Sequence, residues 1–247
     1  NTKPILRLIS MIISCFVFFY INPINFPIID FPYLGTVISW YPISIIFFTF
    51  SIVVVMNGMN LIDGMNGLLG FTTLSILIGL AYVANIHNDN ETLKLCFLFA
   101  SPLFIFLIFN FPFGKIFAGD LGAYFYGFII SIIVINFFGK NLDLLTWLAV
   151  LLLFYPSMEL LFSYIRKIKN KKSPFEADNN HLHTLLNAKF SKKLSFQNLS
   201  NPKTTLFLSV LWLLPALCFV NFRNLYTIIF GLIFLIFLYI FIYKFIK

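Results

Sequence analysis

The residues best suited to chemistry lie between two apolar stretches, at positions 57–68, in the order Asn-Gly-Met-Asn-Leu-Ile-Asp-Gly-Met-Asn-Gly-Leu. A membrane-spanning stretch has no need of Asn57, Asn60, Asp63 and Asn66, and each costs on the order of 1–3 kcal/mol if it is buried without a partner. A polar turn between two helices is one interpretation. A binding or catalytic site is the other, and two further polar segments, predicted on the same side of a membrane, favour it.

The second polar segment surrounds Asp120, which lies at the predicted start of a helix between Gly119 and Gly122. A carboxylate at this position often only caps the helix, an effect of about 1 kcal/mol. The alternative is a magnesium ligand, because Mg²⁺ is usually bound by one or two carboxylates together with substrate phosphates and water. Glycines on both sides would let a diphosphate approach the backbone closely.

The third polar segment covers residues 173–186 and contains His181 and His183. Side chains two positions apart do not share a helix face, so a helical two-histidine zinc site is not indicated. In a loop the two histidines could approach a phosphate together, or they could simply be solvated. Glu159 lies about two turns inside a predicted span, where a carboxylate is costly and needs a partner.

The elements that must position these segments are membrane helices. The chain has 247 residues, of which 60% are hydrophobic and 11% charged, whereas soluble domains carry roughly 25% charged residues. Its apolar runs do not alternate and are about 17–23 residues long, which indicates helices. We therefore predict an all-α integral membrane protein, a single polytopic domain over residues 1–247 with about eight spans. The spans are predicted at 5–21, 36–56, 67–84, 93–110, 119–138, 143–165, 204–222 and 224–243.

The basic residues fall mainly on one side of this bundle. Loops 57–66, 111–118 and 166–203 share a side with both termini, and that side carries 14 of the 17 lysines and arginines. The positive-inside rule makes it cytoplasmic, which predicts a multi-pass protein of the inner (plasma) membrane with its active-site face in the cytoplasm. The rule also accounts for the net charge of +8 without a nucleic-acid partner. The three cysteines show no paired spacing and indicate neither disulfides nor zinc.

Together the three segments resemble the polyprenyl-phosphate N-acetylhexosamine-1-phosphate transferases, a family that includes the phospho-N-acetylmuramoyl-pentapeptide translocases. Residues 57–68 are similar to the family's Asn-x-x-Asn-x-x-Asp-Gly-x-Asp-Gly-Leu, and residues 117–122 to its Phe-x-Gly-Asp-x-Gly. Residues 173–183 resemble its Ser-Pro-Phe followed by Asp-x-x-His-x-His. One such motif would be weak, whereas three in the family's order and spacing are specific.

The resemblance implies a reaction in which a polyprenyl (undecaprenyl) phosphate attacks the β-phosphorus of a UDP-N-acetylhexosamine. Polyprenyl-diphosphate-sugar forms, UMP leaves, and Mg²⁺ or Mn²⁺ holds the diphosphate. By family position, Asp120 and Asp63 would bind the metal, and Asp63, Asn60, His181 and His183 would act in catalysis. The UDP-sugar would be bound by Asn57, Gly64, Met65, Asn66, Asn110 and Phe117, with Phe117 stacking on the uracil. The implied partners are the UDP-sugar, the lipid phosphate and the membrane, and the resemblance allows a homodimer.

The chain also departs from the family pattern. Asn66 replaces a frequent Asp, Ala123 a Ser and Thr184 a third His. The family's adjacent Asp-Asp pair is absent, and members have about eleven spans, so we expect an N-terminally truncated chain. Two alternatives stay open: a degenerate, non-catalytic member that binds nucleotide, and a membrane transporter or scaffold whose polar loops are only turns.

Overall fold

The computed structural model describes residues 4–173, 176, 178–193 and 199–247. Over these residues the chain forms helices and no strand, which confirms the predicted all-α polytopic membrane protein. Seven helices in this part of the chain are long and apolar enough to cross a membrane. Lys3, which enters the charge count, and Pro174 and Phe175, which belong to the third motif, lie outside the described residues.

The helices follow one another along the chain, and α10 and α11 adjoin at Leu208 to form one candidate span. In chain order they are α1 (Pro4–Ile21), α2 (Leu34–Ile38), α3 (Tyr41–Ile62), α4 (Leu68–Ile86), α5 (Asn90–Asn110), α6 (Gly119–Lys140), α7 (Trp147–Leu152), α8 (Phe154–Lys169), α9 (Leu182–Lys193), α10 (Ser200–Phe207), α11 (Ser209–Asn221) and α12 (Leu225–Ile246).

The predicted span over 143–165 is not one helix. It is divided into α7 and α8, with a break at Leu153. Pro156 lies in the first turn of α8, and a proline has no N–H with which to bond the carbonyl four residues earlier, while its ring clashes with that carbonyl. Neither α7 nor α8, which has 16 residues, is long enough to count as a candidate span alone. Over the described residues the chain therefore has seven such helices where about eight were predicted.

The first polar segment is more helical than predicted. Helix α3 continues to Ile62, beyond its predicted end at residue 56, so Asn57 and Asn60 lie on its last two turns. The amide Nδ2 of Asn57 donates to the carbonyl of Val53, one turn earlier, at 2.8 Å. Because the two asparagines are three positions apart, they lie on the same face of the helix. The turn to α4 is correspondingly short.

Helix α3 is the centre of the bundle and packs against α1, α6 and α8. Two glycines permit this close packing, as small residues often do between membrane helices. A Cβ at Gly127 of α6 would lie 2.6 Å from the Met56 Cα of α3, and a Cβ at Gly58 of α3 would overlap the carbonyl of Pro156 in α8. The polar end of α3 is thereby held between two helices that carry further candidate residues.

Contacts between the connecting segments define two ends of the bundle. At one end the Asp63 side chain bonds the Gly119 backbone, which brings the end of α3 to the start of α6. At the opposite end Asp30 accepts hydrogen bonds from the backbone N–H and the hydroxyl of Thr146. The first end is the one that the charge distribution predicts to be cytoplasmic.

Candidate active site

Two hydrogen bonds join the segment of Asp63, at the end of α3, to the segment of Asp120, at the start of α6. Oδ2 of Asp63, which follows α3, accepts from the N–H of Gly119, the first residue of α6, at 2.8 Å. Oδ1 of Asp120 accepts from Nδ2 of Asn60 in α3 at 2.9 Å. The C-terminal end of one helix and the N-terminal end of the other therefore hold each other through their own carboxylates. This geometry brings together three of the residues that the sequence analysis selected.

Helix α1 adds a cation to the same cluster. Nη1 of Arg7 donates to Oδ2 of Asp120 at 2.5 Å. Because the Asp120 side chain is 55% exposed, the pair adds little to stability, typically about 0–1 kcal/mol for surface pairs. Its placement matters more, since a guanidinium beside a candidate metal ligand can bind a phosphate oxygen. On the sequence alone, Arg7 is one of the 14 basic residues that predict the topology, and no pattern placed it beside Asp120.

Asp63 lies in an environment that favours its neutral form. Burial raises the pKa of this carboxyl from 3.8 to about 6, even though the N–H groups of Gly119 and Ala118 act in the opposite direction. The negative charge of Asp120 contributes to the same rise in pKa, as the smallest of these effects. A cation close to both carboxylates would favour the ionised form of Asp63, because an opposite charge lowers an acid's pKa.

The donor set fits a magnesium ion that is shared with a phosphate substrate. Among the described residues, no group of three or more His, Cys, Asp or Glu could enclose a metal. Mg²⁺ does not need such a cage, because one or two carboxylates with phosphates and water usually suffice. Space for those ligands exists next to both glycines: among the described residues, apart from chain neighbours and the helix's own backbone, no atom lies within 4 Å of the position that a Cβ would take at Gly64 or Gly119.

Asn110 joins the first two polar segments from inside the protein. Its Oδ1 accepts from the N–H of Gly67 at 2.5 Å, and its Nδ2 donates to the carbonyl of Ile116 at 2.6 Å. The side chain is only 2% exposed, so both ends of the amide are used within the chain. The role in uracil binding that the family resemblance implies for Asn110 stays a prediction.

Asn66 is also buried and is held on three sides. Its Nδ2 donates to the Pro112 carbonyl at 2.7 Å. From α10, Oδ1 of Asn201 accepts from the Asn66 N–H, and the Thr205 hydroxyl donates to the Asn66 carbonyl, both at 2.7 Å. A carboxylate could not donate to Pro112, so the amide at this departure from the family pattern has a structural use. Asn201 and Thr205 lie in no motif, and the sequence offered no signal for them.

The remaining predicted nucleotide contacts differ in exposure. Phe117 is 50% exposed, which leaves its ring open to stacking, and Gly64 is exposed as well. Met65 is buried at 8% exposure. Asn57 uses its Nδ2 on the Val53 carbonyl and lies 3.4 Å from the Met11 sulfur. Their part in binding a UDP-sugar remains a prediction.

His181 and His183 come together, but in a second, buried cluster. His181 precedes α9 and His183 lies in its first turn, and their rings stack with centroids 5.6 Å apart. The Nδ1 atoms lie 3.5 and 3.3 Å from Oε1 of Glu159, although their angles are not those of hydrogen bonds. No contact within the described residues joins these histidines to Asp120.

Glu159 of α8 is the centre of this second cluster and is 1% exposed. Its Oε1 accepts from the N–H of Leu182 at 3.1 Å, and its Oε2 accepts from the Tyr239 hydroxyl of α12 at 2.8 Å. These are the partners that the sequence required for a carboxylate in this position and could not name. They are 23 and 80 residues away along the chain.

Comparison with known proteins places the first two motifs in a described family. The model of "Glycosyl transferase family 4" matches residues 1–138, which is more than half of the chain. The match includes Asp63 and Asp120 and ends before His181 and His183. Support from this comparison therefore rests on the aspartate end of the molecule.

Three relatives share parts of this chain. It is 30% identical over 147 residues to the undecaprenyl-phosphate alpha-N-acetylglucosaminyl 1-phosphate transferase of Thermotoga maritima, covering 60% of this chain and 44% of that protein. A probable enzyme of the same kind from Bacillus subtilis is 32% identical over 149 residues, covering 60% and 40%. The Escherichia coli transferase is 24% identical over 153 residues, covering 60% and 42%. The chain thus spans less than half the length of these relatives. From the family match, it belongs to glycosyl transferase family 4.

Proposed function

We propose that this chain carries the metal and nucleotide-sugar site of a phospho-N-acetylhexosamine transferase. The enzyme would transfer a sugar 1-phosphate from a UDP-N-acetylhexosamine to undecaprenyl phosphate and release UMP. The names of the relatives, which specify N-acetylglucosaminyl 1-phosphate and undecaprenyl phosphate, support both substrate classes. One observation carries the proposal: Asp63 and Asn60 of the first motif hold the Gly119–Asp120 pair of the second.

The residues of this cluster have complementary roles in the proposed reaction. Asp63 and Asp120 would hold Mg²⁺ or Mn²⁺, and the bound ion would neutralise charge on the diphosphate. Asn60 orients the Asp120 carboxylate, and Arg7 would bind a phosphate oxygen. In phosphoryl transfer the protein contributes mainly positioning and charge stabilisation, which these four residues can provide.

An apolar cavity in the bundle is an argument for a lipid substrate. It has a volume of about 480 Å³, lies between α3, α6 and the α7–α8 pair, and is lined by side chains such as Val55, Val134 and Val150. Phe31 and Trp147 border it toward the end opposite the aspartates. The cavity would take part of a polyprenyl chain whose phosphate lies at the aspartate end, because burial of apolar surface stabilises such a complex.

The histidines would contact the diphosphate or the sugar, as the family pattern implies. The Nδ1 atoms are turned toward Glu159, and Nε2 of His181 lies 3.6 Å from Oδ1 of Asp178. Nε2 of His183 is therefore the ring atom that would meet the ligand. We place this site at the cytoplasmic face of the inner membrane on the strength of the charge distribution.

The test follows UMP release by the full-length gene product that contains this chain, purified in detergent. A panel of UDP-N-acetyl sugars is supplied with undecaprenyl phosphate and Mg²⁺. We expect lipid- and Mg²⁺-dependent release with at least one sugar, and a loss of about 100-fold or more in Asp120→Asn, which removes a charged group from the site. Asp143→Asn, an exposed carboxylate at the opposite end, is the control and should retain activity.

A second candidate function is a family member that binds nucleotide without turnover. The use of the Asn66 amide inside the protein, where many members have a carboxylate, favours it. Calorimetric binding of UDP-N-acetylglucosamine without UMP release from any sugar would support this alternative and exclude the transferase. Neither binding nor release, from a folded protein, would exclude both.

A further inference from the structure

Glu159 is a buried carboxylate that the proposed reaction does not use. It receives hydrogen bonds from Leu182 at the start of α9 and from Tyr239 in α12. It also faces the Nδ1 atoms of His181 and His183. A buried charge is costly unless partners satisfy it, and here the partners belong to the histidine segment and to the last helix of the chain.

A second contact of the same kind lies two turns further along α8. Nη2 of Arg166 donates to both carboxylate oxygens of Asp178, at 2.8 and 2.9 Å, and Nη1 donates to the Tyr243 hydroxyl at 3.1 Å. Residues seven positions apart share a helix face, so Glu159 and Arg166 point to the same side of α8. They contact Tyr239 and Tyr243, which are one turn apart on α12. The histidine segment is therefore attached at two points to α8, and each of these points also bonds α12.

Helix α8 also packs closely against α3, the helix that leads to the aspartate site. Pro156, one turn before Glu159, packs against Gly58 of α3 so closely that a Cβ there would overlap its carbonyl. Gly58 is two residues before Asn60, whose amide holds Asp120. A short path of packed backbone thus runs from Asp120 through α3 and α8 to Glu159 and the histidines. Helix α8 fixes the separation between the two clusters.

We propose that Glu159 is a positioning residue that, with Tyr239, holds His181 and His183 at a fixed distance from the Asp63–Asp120 site. The proposal rests on the proposed function, in which the histidines contact the nucleotide sugar. Glu159 acts through the histidines and does not touch substrate. Its loss should weaken the interaction with the UDP-sugar and leave the site of the lipid phosphate unaffected.

The test compares Glu159→Gln and Tyr239→Phe in the full-length protein. We expect the KM for the UDP-sugar to rise about 10- to 100-fold in Glu159→Gln, the range seen when orienting partners are removed, and less in Tyr239→Phe. The KM for undecaprenyl phosphate should not change. Tyr155→Phe is the matched control, because the Tyr155 hydroxyl is buried in α8 and has no hydrogen-bond partner among the residues that the structure describes. A purely structural role would lower the amount of active enzyme and shift neither KM.

A double-mutant cycle tests whether Glu159 works through the histidines. In a His181→Ala/His183→Ala background, Glu159→Gln should cause no further loss, because residues that act as a unit are not additive. A further loss of the same size as in the wild-type background would overturn the proposal.

A labelling measurement separates this proposal from the proposed function. Diethyl pyrocarbonate modification, followed by mass spectrometry of the peptide with His181 and His183, needs no turnover. Both histidines should be protected in the wild type, where they are 8% and 3% exposed, and modified faster in Glu159→Gln. If the wild type releases no UMP but the histidines of Glu159→Gln are modified faster, the positioning role of Glu159 is supported and the proposed transferase function is not. Equal protection of the histidines in both proteins would show that Glu159 does not hold them in place, whatever the activity.

Discussion

At the scale of single residues, the amides of this chain do two different tasks. The Asn60 amide donates to Asp120 on another helix, and in the proposed reaction it would orient that carboxylate. The amides of Asn66 and Asn110 are used within the protein, on Pro112, Gly67 and Ile116. Residues of one type thus differ in whether their amides face the candidate site or hold the surrounding segments together.

The amide at position 66 can be tested by restoring the carboxylate of the family pattern. Asn66→Asp removes the donor to the Pro112 carbonyl and places a buried charge beside an acceptor. We expect a loss of about 1–3 kcal/mol in the free energy of unfolding, measured as a lower thermal midpoint in detergent. Asn221→Asp, at an exposed amide, is the control. A variant as stable as the wild type would show that the Pro112 contact contributes nothing.

The raised pKa of Asp63 predicts a pH dependence for metal binding. Burial raises this pKa to about 6, so the carboxyl is mostly neutral below that pH and ionised above it. Protons compete with Mg²⁺ for the carboxylate, and the apparent KM for Mg²⁺ should fall as the pH rises from about 5 to about 7. Initial rates of UMP release at several Mg²⁺ concentrations measure this. A KM for Mg²⁺ that is independent of pH in this range would contradict the assignment of Asp63.

At the scale of the elements, the close approach of α3 and α8 decides how the two polar clusters relate. α3 carries Asn60 and ends next to Asp63, and α8 carries Glu159. Their contact depends on a glycine at position 58, because the Pro156 carbonyl occupies the space that a side chain would take. Small changes at this contact should therefore affect both stability and activity.

Gly58→Ala tests the contact between α3 and α8. The added methyl group meets backbone, so one helix must shift, and overpacking of this kind costs about 1–3 kcal/mol. We expect a lower thermal midpoint and, because Asn60 moves with α3, slower UMP release. In the control Gly79→Ala, the new Cβ would lie 3.5 Å from the Ala216 Cβ, an ordinary contact. Equal thermal midpoints for the two variants would show that the helices are not tightly packed at Gly58.

At the scale of the whole molecule, helices far apart in the chain meet at one end of the bundle. The aspartate cluster draws on α1, α3 and α6, and α10 closes over the first turn through Asn201 and Thr205. Asp30 and Thr146 tie two segments together at the other end. A site assembled in this way lies on one side of a membrane only.

The sidedness can be measured with single cysteines and a membrane-impermeant maleimide in intact spheroplasts. Leu142→Cys and Phe113→Cys place thiols at exposed positions, 61% and 76%, at opposite ends of the bundle. The positive-inside rule predicts that position 142 is labelled from outside and position 113 only after permeabilisation. The unmodified chain, with its three native cysteines, gives the background. The reverse pattern would place the aspartates outside the cytoplasm.

The sequence by itself determined the class of protein, the approximate spans and the polar segments that could form a site. These properties depend on local composition, because an apolar run of sufficient length partitions into a bilayer whatever its neighbours are. The break before Pro156 had a local cue, since proline removes a helical hydrogen bond and crowds the preceding turn, although Pro102 and Pro215 lie inside α5 and α11 without dividing them. Overlooking it led to the prediction of a single helix over 143–165.

Only the tertiary structure decided which polar groups meet. Arg7 and Asp120 are 113 residues apart, and Glu159 and Tyr239 are 80 apart. Several arginines, lysines and tyrosines could have taken these places on the pattern alone. The choice follows from the packing of α1, α3, α6, α8 and α12, which fixes the partner of each side chain. Packing is a property of the whole chain, and no stretch of the sequence contains it.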